Sequence, residues 1–456
     1  MAEPHARIDG VDASASLRTS AVEHVGAGEP AASADKAPEF GRRYMFYGLG
    51  LLLGVAVFNL IDRSIINLLL VPIGQDLHLS DTQLGAFAGP VFALFYAAAQ
   101  IPIARFADRG RRGRVIALAL AFWSAMTTMQ SFAIGFLTLA IARAGVAIGE
   151  AGAGPASQSV IADLFPPTMR TRAFAVFAFQ APVGVAIGYF IGGWGRQLLG
   201  WHHTLLLVGL PGLVLASVVW FTFREPTRGY WQPRIVEHTA SLAETFKFLL
   251  GLPALRHLVA GYSVTVIVAG AQSFDVVYLE RSFHLSASQI GSLVGAAGLL
   301  AMIGYYFGGW LSDRYSIRDP AWAMRLPAIF LLIHLSFACI YYFTPAAPVA
   351  ITVALVAPFL PATLPLVFAN AQSLAPAHMR ARAGALWLTV STLVGMGIGP
   401  QLAGFLSDML KPTFGEESMR YTLISIVAVG YLWSATHYWL GSRTLTRDLR
   451  AKDVFG

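Results

Sequence analysis

Arg143-Ala-Gly-Val-Ala-Ile-Gly-Glu150-Ala-Gly-Ala-Gly154 lies inside an apolar run from about 134 to 161, and ~20 residues suffice to cross a bilayer as a helix. Arg143 and Glu150 stand seven residues apart, close to two helical turns, so both project from one face. An ionised side chain at membrane depth costs ~2.5 kcal/mol or more, so such residues face a cavity and pair with something. The surrounding glycines and alanines let a neighbouring helix approach closely. A second charged pair, Asp62 and Arg63, sits inside another long apolar run. These four residues read as the polar heart of a membrane transporter.

Working outward, 56% of the 456 residues are hydrophobic and only 12% charged, against about 25% charged in a soluble domain. The fold class is therefore all-α integral membrane protein, since continuous apolar runs do not suit the alternating strands of a barrel. Apolar runs fall at roughly 44–72, 82–106, 114–134, 136–164, 171–199 and 203–223, and then at 255–281, 287–311, 321–344, 347–374, 382–410 and 419–441. Twelve transmembrane helices in two sets of six are expected. The domains read as a disordered cytoplasmic tail (1–41), a six-helix bundle (42–223), a cytoplasmic linker (224–253), a second bundle (254–441) and a cytoplasmic tail (442–456). Within the linker, 241–250 can form an interfacial amphipathic helix or a plain connection.

The net charge of +7 invites a nucleic-acid reading, but the basic residues fall at span ends, as cytoplasmic loops require. One side holds Arg105, Arg109, Arg112, Arg170, Arg172, Arg314, Arg318, Arg380 and Arg382, and the other only Arg196, Arg281, Lys411 and Arg420. Both termini are thus expected in the cytoplasm, with no nucleic-acid partner. The single Cys339 excludes an intramolecular disulfide.

The two sets repeat each other. His78-Leu-Ser-Asp-Thr-Gln-Leu-Gly85 matches His284-Leu-Ser-Ala-Ser-Gln-Ile-Gly291; Met169-Arg-Thr-Arg-Ala173 matches Met379-Arg-Ala-Arg-Ala383; and Gly184, Gly188 and Gly193 match Gly395, Gly399 and Gly404. Duplicated halves around a midplane site are a secondary-transporter architecture.

Ala104-Arg-Phe-Ala-Asp108-Arg109-Gly-Arg111-Arg112 and Gly309-Trp-Leu-Ser-Asp313-Arg314 resemble the Gly-x-Leu-Ala-Asp-Arg-x-Gly-Arg-Arg motif of the major facilitator superfamily. The resemblance spans roughly 42–445. Within that superfamily, Asn59-Leu-Ile-Asp62-Arg63, the Arg143–Ala151 stretch and Pro155 leading to Ile161-Ala-Asp163-Leu-Phe-Pro166 look like the Spinster family of lipid transporters. So does Pro182-Val-Gly184 through Gly193-Trp194. Short loops and an Ala-rich tail give the chain a bacterial look. The resemblance implies proton-linked movement of lysophospholipids or sphingoid lipids such as sphingosine phosphate, in the inner (plasma) membrane, by a monomer among membrane lipids.

Depth along each run places Asp62 and Arg143 at one level, and Asn59, Arg63 and Glu150 at a deeper one, roughly 20 Å from the outer end. Two arginines suit an anionic head group, and two carboxylates deprived of water can take up a proton. Protonating Asp62 or Glu150 would free an arginine for the anion, with no cofactor beyond the proton. In the second half the positions matching Arg143 and Glu150 are Val353 and Leu360. That wall is expected to be apolar, with Gln272, Asp275, Tyr278 and Asn370 as its few polar groups, and to take a lipid tail. Asp275 serves proton coupling or caps a polar cluster. His334 is read as a satisfied helix-face residue. Asp108, Arg109, Arg112, Asp163, Asp313 and Arg314 read as a cytoplasmic gate that biases alternating access.

Other chemistries leave no trace. The glycine-rich pieces lack the strand and Lys-Ser/Thr ending of a phosphate loop, no metal-ligand spacing appears, and no nucleophile–base set suggests an enzyme. A porter of small organic anions, such as sugar acids or aromatic acids, remains the alternative to a lipid transporter.

Overall fold

The computed structural model describes residues 37–231, 242–360, 362–375 and 380–452; the expected N-terminal tail over 1–36 lies outside them, as do the side chains of Asp108, Arg109, Arg380 and Arg382. Among the described residues the chain is helical, with no strand.

The first half comprises α1 (Arg42–Asp76), α2 (Asp81–Ala88), α3 (Pro90–Arg109), α4 (Arg112–Gln130), α5 (Phe136–Glu150), α6 (Ala153–Leu164), α7 (Pro167–Ala178) and α8 (Gln180–Thr222). After α9 (Leu242–Gly251) the second half runs through α10 (Pro253–Ala271), a 3-10 turn (Gln272–Phe274), α11 (Asp275–Phe283), α12 (Ala287–Ser316), α13 (Trp322–Phe343), α14 (Ala347–Val356), α15 (Leu364–Leu374), α16 (Arg380–Phe414) and α17 (Ser418–Lys452). The stretch from 442 expected as a tail is thus helical to Lys452. The helix suggested in the linker forms as α9 and packs on α10 and α16.

Among the described residues, eight helical segments are long and apolar enough to cross a membrane. Two of them, Pro167–Thr222 and Leu393–Arg450, contain 56 and 58 residues, well beyond the ~20 of one crossing. Each holds a glycine in the left-handed region, Gly200 at φ +77° and Gly415 at φ +57°, where other side chains are disfavoured. At Gly200 the helical φ/ψ pattern is broken inside α8.

The repeat seen in sequence is repeated in detail. His78 and His284 carry the only left-handed non-glycine backbones among the described residues, at φ 52° and 53°. Two residues on, Ser80 and Ser286 each open a helix with a capping box. Their backbone N–H groups donate to Gln83 Oε1 and Gln289 Oε1, both at 2.9 Å. These boxes satisfy donors that a helix start leaves unpaired.

Apolar packing forms several separate buried clusters. One buried cluster draws on both halves, including Ile65, Leu69 and Leu205 with Phe274, Tyr278 and Leu423. Toward the chain's described ends the core splits: Met45, Leu49, Leu164 and Val219 pack within the first half, while Leu255, Tyr438 and Leu445 pack within the second. The halves therefore share a core at one end and keep separate cores at the other. Hydrogen bonds follow the shared end. Arg281 donates to both carboxylate oxygens of Asp81 at 2.7 Å, Arg196 to both of Glu280 at 2.7 and 2.6 Å, and Thr82 to Asp408 at 2.6 Å.

Candidate functional site: two chambers beside the charged helices

Small residues set the site's backbone. A Cβ on Gly149 would lie 2.7 Å from Trp123 Cβ and 2.9 Å from Trp123 N, so only glycine lets α5 approach α4 this closely. The helix then breaks at Ala151–Gly152, immediately after Glu150, where the sequence suggested a continuous run.

The four central charges do converge. Arg63 Nε of α1 donates to Glu150 Oε2 of α5 at 2.6 Å, across the two helices expected to pair. Asp62 and Arg143 lie in electrostatic reach of each other and of Glu150. The expected Asp62–Arg143 ion pair is absent among the described residues. Asp62 instead accepts from Thr127 Oγ1 with both oxygens at 2.8 Å, while Arg143 is drawn over the Phe92 ring at 4.6 Å. Arg63 lies 5.0 Å from the same ring and 4.9 Å from that of Tyr96. One fully buried phenylalanine thus serves two guanidinium groups, an attraction worth about 2 kcal/mol where water is excluded.

Arg63 and Arg143 line a cavity of about 410 Å³ between the halves, with Asn67 and Tyr189 on one side and Tyr262, Gly270 and Met396 on the other. Asp62 and Glu150 are not on this lining; they stand behind the arginines, 1% and 2% exposed. Arg143 Nε and Nη1 have no hydrogen-bond partner among the described residues, although the residue is 3% exposed. A buried donor left unpaired is costly, so this guanidinium is equipped to receive an acceptor. Asn59, grouped with this site in sequence, is half-buried and does not line the cavity.

Asp275 belongs to a second chamber. The 3-10 turn between α10 and α11 interrupts the helix and presents Gln272 and Asp275 to a space of about 340 Å³, walled by Tyr189, Phe337, Tyr341, Tyr342, Val353 and Tyr431. The second-half wall is therefore largely apolar and aromatic, with two of its four expected polar groups, Gln272 and Asp275, on it. Val353 lies on it too, as does His334, which the sequence analysis read as a satisfied helix-face residue. Tyr278 and Asn370 are absent from this lining because the backbone holds them. Tyr278 Oη donates to the Tyr341 carbonyl at 2.8 Å, and Asn370 Nδ2 to the Ala323 and Leu366 carbonyls at 2.7 and 2.8 Å.

The gate motif splits in two. Arg112 Nη1 donates to Asp163 at 2.6 Å and Nε to Glu225 at 3.0 Å, and Gly229 N reaches Asp163 at 3.0 Å. Arg228 donates to the Ala107 and Gly110 carbonyls. This cluster ties the first half to its own linker. Asp313 and Arg314 are exposed; Arg314 lies 5.9 Å from the Trp310 ring, and neither forms an ion pair among the described residues.

Thr127, Phe92, Asn67, Tyr189 and Glu225 escaped the sequence reading, as did the Asp81, Glu280 and Asp408 partners. Asp81 carried a usable signal, being a carboxylate where the repeat has Ala287. The aromatic residues carried none, since Phe is common throughout the chain.

A model of the major facilitator superfamily matches residues 51–400. The chain belongs to that superfamily. An efflux pump of this type from Mycolicibacterium smegmatis is 31% identical over 92% of this chain and 98% of its own length. Spinster homolog 1 of Xenopus tropicalis is 28% identical over 83% and 77%. Among solved structures, a bacterial homolog of the human lysosomal transporter Spinster, inward-facing and unoccupied, superimposes with a TM-score of 0.81 at 29% identity, covering 90% of this chain and 99% of that one. The superfamily makes this protein a membrane transporter, not an enzyme, and the likeness to Spinster proteins read from the motifs is present in both sequence and structure.

Proposed function

We propose that this chain moves an amphipathic anion, a lysophospholipid or a sphingoid-phosphate-like lipid, across the cell's inner (plasma) membrane by proton-coupled alternating access. The observation that carries this reading is the placement of Arg63 and Arg143 on the inter-half cavity, with Glu150 and Asp62 behind them. Arginine suits a phosphate better than lysine because its planar fork binds two oxygens. An apolar cleft of about 620 Å³, lined by Pro90, Leu94, Leu393, Ile398 and Phe405, lies between α3 and α16. Met396 of the same α16 lines the arginine cavity, so a head group there can keep its chain in an apolar setting.

In this scheme the chain crosses twelve times, reversing at Gly200 and near Gly415, with both ends in the cytoplasm. The shared core and the Asp81–Arg281 and Arg196–Glu280 links then close the outer end, which is an inward-facing arrangement. A proton arriving on Glu150 releases Arg63 from its 2.6 Å pair, and the freed guanidinium joins Arg143 in holding the anion. Loss of the proton restores the pair and expels the head group. The protein works as a monomer in this scheme.

The test is binding of dodecyl phosphate and of gluconate to the protein in nanodiscs, with wild type and Arg143→Gln. A dodecyl phosphate affinity that falls about tenfold or more in the variant supports the reading, since hydrogen bonds to charged groups contribute ~1.5–3 kcal/mol. Binding of gluconate alone would make the substrate a small organic acid instead.

A further inference from the structure

The second chamber poses an electrostatic question that the arginine site does not answer. In the first half each buried carboxylate has a guanidinium nearby: Glu150 pairs with Arg63, and Asp62 lies in the field of Arg143. Asp275 has no such companion. Its described polar contact is Tyr342 Oη, which donates to Oδ1 at 2.6 Å, and it forms no ion pair among the described residues. The chamber's lining includes His334 but neither Lys nor Arg. A carboxylate in such a room needs a counter-charge or a proton.

The walls indicate what counter-charge fits. Tyr341 and Tyr342 come from α13, Tyr431 from α17 and Tyr189 from α8, with Phe337 beside them. The Tyr341 and Tyr342 rings meet edge to face with centroids 4.8 Å apart. Several aromatic rings around one carboxylate form the surroundings in which an alkylammonium group is held, its charge attracted by the ring faces and its methyl groups packed against them. A volume of about 340 Å³ is within the ~300–1,000 Å³ of small-molecule sites.

We propose that this chamber is a subsite for the ammonium group of an amphiphile, with Asp275 as counter-ion and Tyr341, Tyr342 and Tyr431 as the cage. Tyr189 lines both chambers and accepts a hydrogen bond from Asn67 Nδ2 at 3.0 Å. A zwitterionic lipid can therefore place its phosphate on Arg63 and Arg143 and its ammonium on Asp275, on either side of this tyrosine. The zwitterionic substrate class rests on the anion reading above; the ammonium subsite does not.

The experiment measures binding in nanodiscs of dodecyltrimethylammonium, of its uncharged analogue with a tert-butyl carbon in place of the nitrogen, and of dodecyl phosphate. Wild type is compared with Asp275→Asn, Tyr431→Leu and Arg143→Gln. The cation should bind wild type about tenfold or more tightly than the neutral analogue. Asp275→Asn should erase that preference while leaving dodecyl phosphate within about twofold, and Tyr431→Leu should weaken the cation alone. Equal wild-type binding of the cation and its neutral analogue overturns the proposal without any variant having to fold, as does a cation affinity unchanged in Asp275→Asn. If the cation behaves as stated but dodecyl phosphate ignores Arg143→Gln, the ammonium subsite stands and the anion reading falls.

Discussion

In the first half, His78 turns the chain, Ser80 caps α2, and the backbone of Asp81 lies against Gly404 of the opposite half. In the second, His284 turns the chain, Ser286 caps α12, and the backbone of Ala287 lies against Gly193. The two crossovers are the same joint made twice, down to the matching glycines. They differ in charge: Asp81 holds Arg281 through two hydrogen bonds and accepts from Ser407 at 2.8 Å, while Ala287 has nothing to offer. The same asymmetry runs through the interior, where Arg143 and Glu150 in one half correspond to Val353 and Leu360 in the other. Backbone close approach is set by the repeat, and charge is laid on one copy at a time. Halves with the same frame but unlike charges can present unlike walls to one ligand.

The largest break in this comparison should come from Glu150→Ala. It strips Arg63 of its partner and leaves two guanidinium groups around Phe92, and orphaning one member of a buried pair costs about 3–5 kcal/mol. Val353→Ala, on the matching element of the second half, should cost about 1 kcal/mol. Thermal unfolding in one detergent, run on both variants, checks the ranking, and equal losses would remove the distinction between the halves.

The crossovers offer a second contrast. Gly404→Leu and Gly193→Leu each force a side chain into the backbone of the opposite half, at a cost of about 1–3 kcal/mol for overpacking. Both should lengthen the distance between spin labels placed at the shared-core end, and a response from only one would show that the joints are not equivalent. Arg281→Ala should move the same distance in the same direction through about 1–3 kcal/mol of lost charged hydrogen bonds. Its effect has no counterpart to match in the other crossover. The smallest change is expected for Asp313→Asn. Its side chain is exposed, so stability should stay within ~0.5 kcal/mol, whereas Arg112→Ala in the other motif copy breaks a buried cluster and should lower the melting temperature clearly.

The sequence carried the helical membrane class and the duplication directly, because apolar runs and spaced glycines are local patterns. It also brought Arg63 to Glu150, since both positions follow from helical rise alone. The Asp62–Arg143 pair was misread for a reason no spacing reveals: Thr127 and Phe92, on elements far away in sequence, compete for the two side chains. Ion links at the shared-core end were hidden in the same way, as Arg196 and Arg281 were visible only as span-end charges. The second chamber was half legible: Gln272, Asp275 and Val353 were read as parts of one wall, but the tyrosines that close it come from α8, α13 and α17, which no local pattern links.

The central claim is that anion binding at Arg143 and protonation at Glu150 are coupled. The most direct measurement is the lumenal pH of proteoliposomes, read by an enclosed dye when dodecyl phosphate is added outside. Wild type should move protons with the anion, and both Arg143→Gln and Glu150→Gln should abolish the signal. A pH change that persists in both variants, or dodecyl phosphate transport with no proton movement, would contradict the account.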